Sequence, residues 1–251
     1  MKTFVRAFIM TVTYFLPLFL LSTVVSGETV TSYLLAGVLT VLAYLGLVWL
    51  YLTFWDKKPW SVMKLRVDHQ AIKGFVLAAS WTVIIVVASC VGAIFLGDVD
   101  KSAASWSVAN LVKAFVSAFL IQGFPEELVF RGYIFQTLHL KPAHKMLASA
   151  ALFAAIHLVH LTSGWGFGLL TTAMAFSFGL FAAILRDRYQ TTWAAVAVHG
   201  GIHMTRKMFE LAGYGFGNSH FMLAGAGFLL CSIYLLWRWY RPVADVLSFR
   251  G

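Results

Sequence analysis

Charge is what this chain has least of. Only 12% of its 251 residues are Asp, Glu, Lys or Arg, while 60% are hydrophobic. Soluble domains carry roughly a quarter charged residues, so a soluble fold of this length would have too little polar surface to cover its core. The apolar residues must face lipid as well as one another. Cysteine is also scarce: Cys90 and Cys231 each sit inside an apolar run, which excludes a disulfide framework and suggests no cysteine metal site. There is no Pro/Gly/Ser-rich linker, low-complexity stretch or internal repeat, so one transmembrane domain spanning 1–251 is expected. The formal charge of +9 comes without an aromatic-interleaved basic patch, and nucleic acid is not an expected partner.

What is present is a series of long apolar runs. A bilayer core needs about 20 helical residues, and eight candidate spans meet that need: 4–26, 30–55, 74–97, 107–137, 145–161, 169–186, 192–211 and 221–240. The expected fold is therefore an all-α polytopic membrane bundle of about eight helices. The first run contains Pro17 and is long for a secretory leader, and Val25-Ser26-Gly27 is only a passable cleavage site; a retained span is expected. Fourteen Lys and Arg residues fall at one set of span ends, including Lys2, Arg6, Lys57, Lys58, Arg186, Arg241 and Arg250. Only Lys101 lies outside the spans on the other side. The positive-inside rule then puts both termini in the cytoplasm. The stretch from Asp56 to Lys73 reads equally as a segment lying along the headgroup layer and as an ordinary basic loop.

Ionisable residues inside spans are costly and are candidates for function. The fourth span carries Gln122-Gly123-Phe124-Pro125-Glu126-Glu127 and then Arg131. The fifth carries Phe153 and His157, with His160 beyond, and the seventh carries His199-Gly200-Gly201-Ile202-His203. Lys113, Arg206 and Lys207 lie close enough to span ends to snorkel. At 1.5 Å per helical residue, Glu126 lies ~17 Å, His157 ~18 Å and His199 ~10 Å from the cytoplasmic ends of their helices, so one shared site is geometrically accessible. Glu127 and Arg131 are four apart and face each other as a pair, which leaves Glu126 without a partner. His199 and His203 are also four apart, the spacing that presents two imidazoles on one helix face to a metal ion or a substrate. Pro125 interrupts the backbone ladder and allows the helix to restart with both glutamates in its first turn.

Taken together, Glu-Glu-x-x-x-Arg at 126–131, Phe-x-x-x-His at 153–157 and the His199 motif resemble the CPBP family of intramembrane endopeptidases. These are the CAAX-protease and bacteriocin-processing proteins, also called the ABI family. The motif-bearing core is 105–210. The family's last motif ends in Asn or Asp, where this chain has His203. The resemblance implies hydrolysis of a peptide bond in a membrane-associated peptide or protein, in or beside the lipid bilayer. Eukaryotic relatives act after a prenylated cysteine; prokaryotic ones are linked to peptide processing or immunity, and a prokaryotic cell membrane is the expected location.

No Ser or Cys sits beside a base in the motifs, so an activated water is expected rather than a covalent nucleophile. In one version Glu126, helped by His157, activates the water. His199 and His203 then hold the oxyanion, while Glu127 orients the site through Arg131, with Phe153 in support. In the other, His157, His199 and His203 with Glu126 bind zinc around an open position. A non-catalytic immunity or scaffolding protein of the same fold, and a proton-coupled transporter, are the alternatives outside proteolysis.

Overall fold

The computed structural model describes residues 2–24 and 27–240. The cleavage position at Val25 and Ser26, and the basic residues Arg241 and Arg250, lie outside the described residues. The described residues are almost wholly helical, in eleven α-helices: α1 (Lys2–Thr13), α2 (Phe15–Val24), α3 (Val30–Leu50), α4 (His69–Phe95), α5 (Val108–Phe115), α6 (Phe124–Glu127), α7 (Phe135–Thr137), α8 (Pro142–Ile156), α9 (Trp165–Tyr189), α10 (Thr192–Leu211) and α11 (Asn218–Trp239). Two short strands, β1 (Val99–Lys101) and β2 (Tyr214–Phe216), pair antiparallel with Val99 opposite Phe216.

Local chemistry sets many of these boundaries. Thr29, Asp68, Ser107 and Thr191 cap the N-termini of α3, α4, α5 and α10 with side-chain oxygens, supplying acceptors for otherwise unmet N–H groups. Pro142 opens α8 at a first-turn position, where its missing N–H costs nothing. The expected first span is one helical run broken at Tyr14, between α1 and α2. Pro17 explains the break: it cannot donate to the carbonyl of residue 13 and its ring crowds that oxygen. Both pieces pack in the bundle, with Ala7, Met10 and Tyr14 buried.

Among the described residues, seven helical runs are long and apolar enough to cross a bilayer, matching seven of the eight expected spans. The remaining one, α10, is also 20 residues long but too polar to qualify on composition. It carries His199, His203, Arg206, Lys207 and Glu210. Its surroundings make that tolerable, because α10 packs against α4, α9 and the helix around Gly123, and nearly every residue from Thr192 to Ile202 is buried. A helix shielded from lipid by its neighbours need not be apolar itself.

The fourth span, Val108–Thr137, is not a regular α-helix. Wide π-helical turns occupy Val116–Gly123 and Leu128–Ile134, on either side of the short α6. Pro125 sits in α6 and breaks the donor ladder there, and π-turns of this kind are common where helices carry functional groups. The fifth span changes character too: α8 ends at Ile156 and a 3₁₀ segment, His157–Ser163, continues it.

Two sequence expectations change. Arg186, counted among basic residues at a span end, lies inside α9 and is only 1% exposed. Arg206 and Lys207 do not simply reach for water: both pair with Glu210, at 3.1 and 3.0 Å.

Candidate active site

The glutamate pair faces inward because α6 points the first turn after Pro125 into the bundle. Glu127 is fully buried and accepts from Arg131 Nη1 at 2.9 Å. The same oxygen, Oε1, lies 3.0 Å from His199 Nδ1. Since a carboxylate only accepts, the Nδ1 of His199 carries the proton in this contact. The Nε2 of His199 is then left with its lone pair, 3.2 Å from the Nε2 of His203. One of two facing ring nitrogens must donate, and the tautomer of His199 assigns that proton to His203. A directed chain results, from Arg131 through Glu127 and His199 to His203, across two helices separated by 72 residues between Glu127 and His199.

Glu126 approaches the same ring from another direction. Its Oε2 is 3.9 Å from His199 Nε2, and that oxygen is buried without a hydrogen-bond partner. The carboxyl group is not otherwise alone, as the sequence suggested. Tyr14, at the break between α1 and α2, is its electrostatic neighbour, and Tyr44 in turn donates to the Tyr14 carbonyl at 2.8 Å. Tyr14 gives no sequence signal, since an aromatic residue in an apolar first span reads as lipid-facing.

His157 lies at the end of α8, where its Nδ1 contacts the carbonyl of Phe153 at 3.1 Å. A carbonyl accepts, so Nδ1–H donates and the Nε2 of His157 keeps its lone pair. Phe153 is the packing centre of the site. Its ring lies 4.8 Å from that of His157 and 5.7 Å from that of His199, with the Arg131 guanidinium stacked 4.4 Å from its centroid. That cation–π contact is a second counterpart for a buried cation whose Nε and Nη2 have no hydrogen-bond acceptor. Arg186, from α9, adds a further support by donating from Nε to the carbonyl of Arg131 at 3.1 Å.

Close helix approach makes these contacts possible. A Cβ on Gly200 would fall 2.2 Å from the Phe119 ring, so only glycine between His199 and His203 lets the π-helical turn of the fourth span lie against α10.

The expected zinc donors do not gather. Among the described residues, no three of His, Cys, Asp and Glu form a group that could hold a metal ion. The Nδ1 contacts of His199 and His157 leave each Nε2 without a proton, but these nitrogens are not gathered with a third donor, and the set does not fit the metal.

With the geometry described, the comparisons can be placed on it. Residues 108–205 match the family model described as type II CAAX prenyl endopeptidase Rce1-like. The matched stretch holds Glu126, Glu127, Arg131, Phe153, His157, Arg186, His199 and His203, and ends before β2. Tyr14 and Tyr44 lie outside it. Comparison with curated proteins gives no match.

Proposed function

We propose that this integral membrane protein, similar over residues 108–205 to the CAAX endopeptidases, hydrolyses a peptide substrate with a water activated by Glu126. The observation that carries this reading is the unpartnered Oε2 of Glu126, 3.9 Å from the lone pair of His199. Once His203 turns its N–H away from His199, one water oxygen at hydrogen-bonding distance fits between two acceptors so spaced, donating one proton to each.

Each residue then has a task. Glu126 takes the proton as the water attacks the scissile carbonyl, and returns it to the leaving amine. His199, its Nδ1–H held by Glu127, is the second acceptor that aligns the water, and the ionised Glu127 favours any positive charge on that ring. His203, whose Nε2–H points at the site, turns that donor to the oxyanion. His157 offers its Nε2 as a further acceptor, in keeping with its expected role beside Glu126. Phe153, Arg131 and Arg186 position these groups. The assignment differs from the sequence expectation at His199, which aligns water rather than the oxyanion. No step passes through a metal.

The decisive experiment is turnover of a membrane-peptide library by the purified protein in lipid nanodiscs. Glu126→Gln keeps the size of the side chain but cannot take a proton. It is expected to lose about 100- to 10,000-fold in turnover, the usual worth of a general base, while still inserting and folding. Full activity in Glu126→Gln would refute the assignment.

A further inference from the structure

A second built feature lies away from this site, at the membrane face where α4 begins, α9 ends and α10 begins. The loop before α4 is held there by several hydrogen bonds. Thr192 donates from N to the Lys64 carbonyl at 3.0 Å and from Oγ1 to the Met63 carbonyl at 2.6 Å, and Trp193 Nε1 donates to the Leu65 carbonyl at 3.0 Å. Gly74 lets α4 close on the turn after α9: a Cβ there would fall 2.9 Å from the Cβ of Tyr189. Between these elements is a cleft of about 580 Å³.

The charge of the cleft is positive. Lys64 and Arg66 line it, with Gln70 as a polar neighbour and Trp60 among the lining side chains. The one acid, Asp68, is engaged: it caps α4 through the Ala71 N–H at 2.9 Å and stands 3.9 Å from Arg66 Nε. At Ala71 the cleft joins a groove of about 250 Å³ along α4, bordered by Val67, Ile72, Val76 and Trp193. From Ala71 to Val76 the groove runs roughly 7 Å along the helix axis, into the apolar layer. The indole N–H of Trp193 is already spent on Leu65, so the groove presents only apolar surface.

We propose that cleft and groove together bind one anionic phospholipid, its phosphate between Lys64 and Arg66 and an acyl chain along the Ile72–Trp193 groove. Two cations beside one engaged acid select an anion, and the adjoining apolar groove selects one attached to a hydrocarbon chain. Basic clefts at the ends of membrane helices take anionic headgroups in this way. Because the clamp joins the loop to α10, the bound lipid would brace the helix that carries His199 and His203. The inference rests on the chain's membrane setting and is independent of its catalytic chemistry.

The test is native mass spectrometry of the full chain released from nanodiscs of equal phosphatidylglycerol and phosphatidylcholine. One phosphatidylglycerol should be retained in preference, by about tenfold or more, as expected for two interfacial cations. The double variant Lys64→Glu/Arg66→Glu should lose that preference. Its melting temperature should match the wild type, since both side chains are exposed. Ile72→Trp, which fills the groove without changing charge, should reduce retention of both diacyl lipids. Equal retention of the two lipids by the wild type, or unchanged preference in the double variant, overturns the site. Displacement of the lipid by millimolar inorganic phosphate, or full retention in Ile72→Trp, overturns the role of the acyl chain. Turnover is not the readout, so failure here leaves the protease reading untouched, and the reverse.

Discussion

At the residue scale the buried pair of Glu127 and Arg131 carries both stability and chemistry. Both side chains are fully buried and 2.9 Å apart, so removing one strands the other. Glu127→Ala is expected to cost about 3–5 kcal/mol, read as a lower melting temperature in detergent. Replacing both members, as Glu127→Leu/Arg131→Met, should recover most of that stability, because the desolvated charges go together. Activity should not return with it, since His199 would have lost the acceptor that fixes its tautomer. Recovery of turnover in the double variant would show that Glu127 is only structural. His203 makes a different test possible, because the resembling family has Asn or Asp at its position. An Asn amide can donate as the imidazole N–H does, so His203→Asn should retain most turnover. His203→Ala should lose about 100-fold, the typical worth of one oxyanion donor. Equal loss in both variants would remove His203 from that role.

Elements place these residues by departing from regular geometry. The fourth span widens into π-turns before and after Pro125, and Arg186 on α9 holds the carbonyl of Arg131 within the second of them. Outside the membrane-spanning helices, β1 and β2 tie the end of α4 to the start of α11. Asp98 is the pin of that connection: it accepts the backbone N–H of Ser219, in the first turn of α11, at 2.6 Å. That hydrogen bond holds the Asp98 carboxyl below its ordinary range. A carboxyl with a lowered folded pKa stabilises at pH values above its unfolded one. The contribution fades as pH falls through the folded value. Melting temperatures of the wild type and Asp98→Asn should therefore differ at pH 7, with the variant lower, and converge as pH drops below about 4. A constant difference across that range would mean that Asp98 acts without its charge.

For the whole molecule the organising fact is that a polar helix is sheltered by apolar ones. α10 brings His199 and His203 to the glutamates, while α4, α9 and the helix around Gly123 keep lipid from its first three turns. If α10 crosses with the seven apolar runs, the number of crossings is even and the termini share a side. The basic asymmetry predicts that this side is the cytoplasm. Reporter fusions after Arg250 and within 98–106 should then report opposite sides of the membrane. A C-terminus on the same side as 98–106 would break both the crossing count and the assigned depth of the site.

Composition and spacing by themselves determined the membrane class, seven of the spans and the pairing of Glu127 with Arg131. Each depends on quantities that a linear sequence carries directly: the length of apolar runs against bilayer thickness, and the four-residue return of a helix face. The three motifs also carried the resemblance to the family whose model matches residues 108–205, since their order and internal spacing survive without coordinates. What the sequence left open was decided by side chains meeting across helices. Glu126 looked partnerless until the break at Tyr14 brought a phenol to it from the far end of the chain. Arg186 read as a basic residue at a span end until α9 carried it into the bundle. His199 read as a metal or oxyanion residue, and the carboxylate at its Nδ1 puts the lone pair on Nε2, toward His203 and Glu126. Only the packed bundle sets a tautomer, because the acceptor that chooses it comes from a helix 72 residues away.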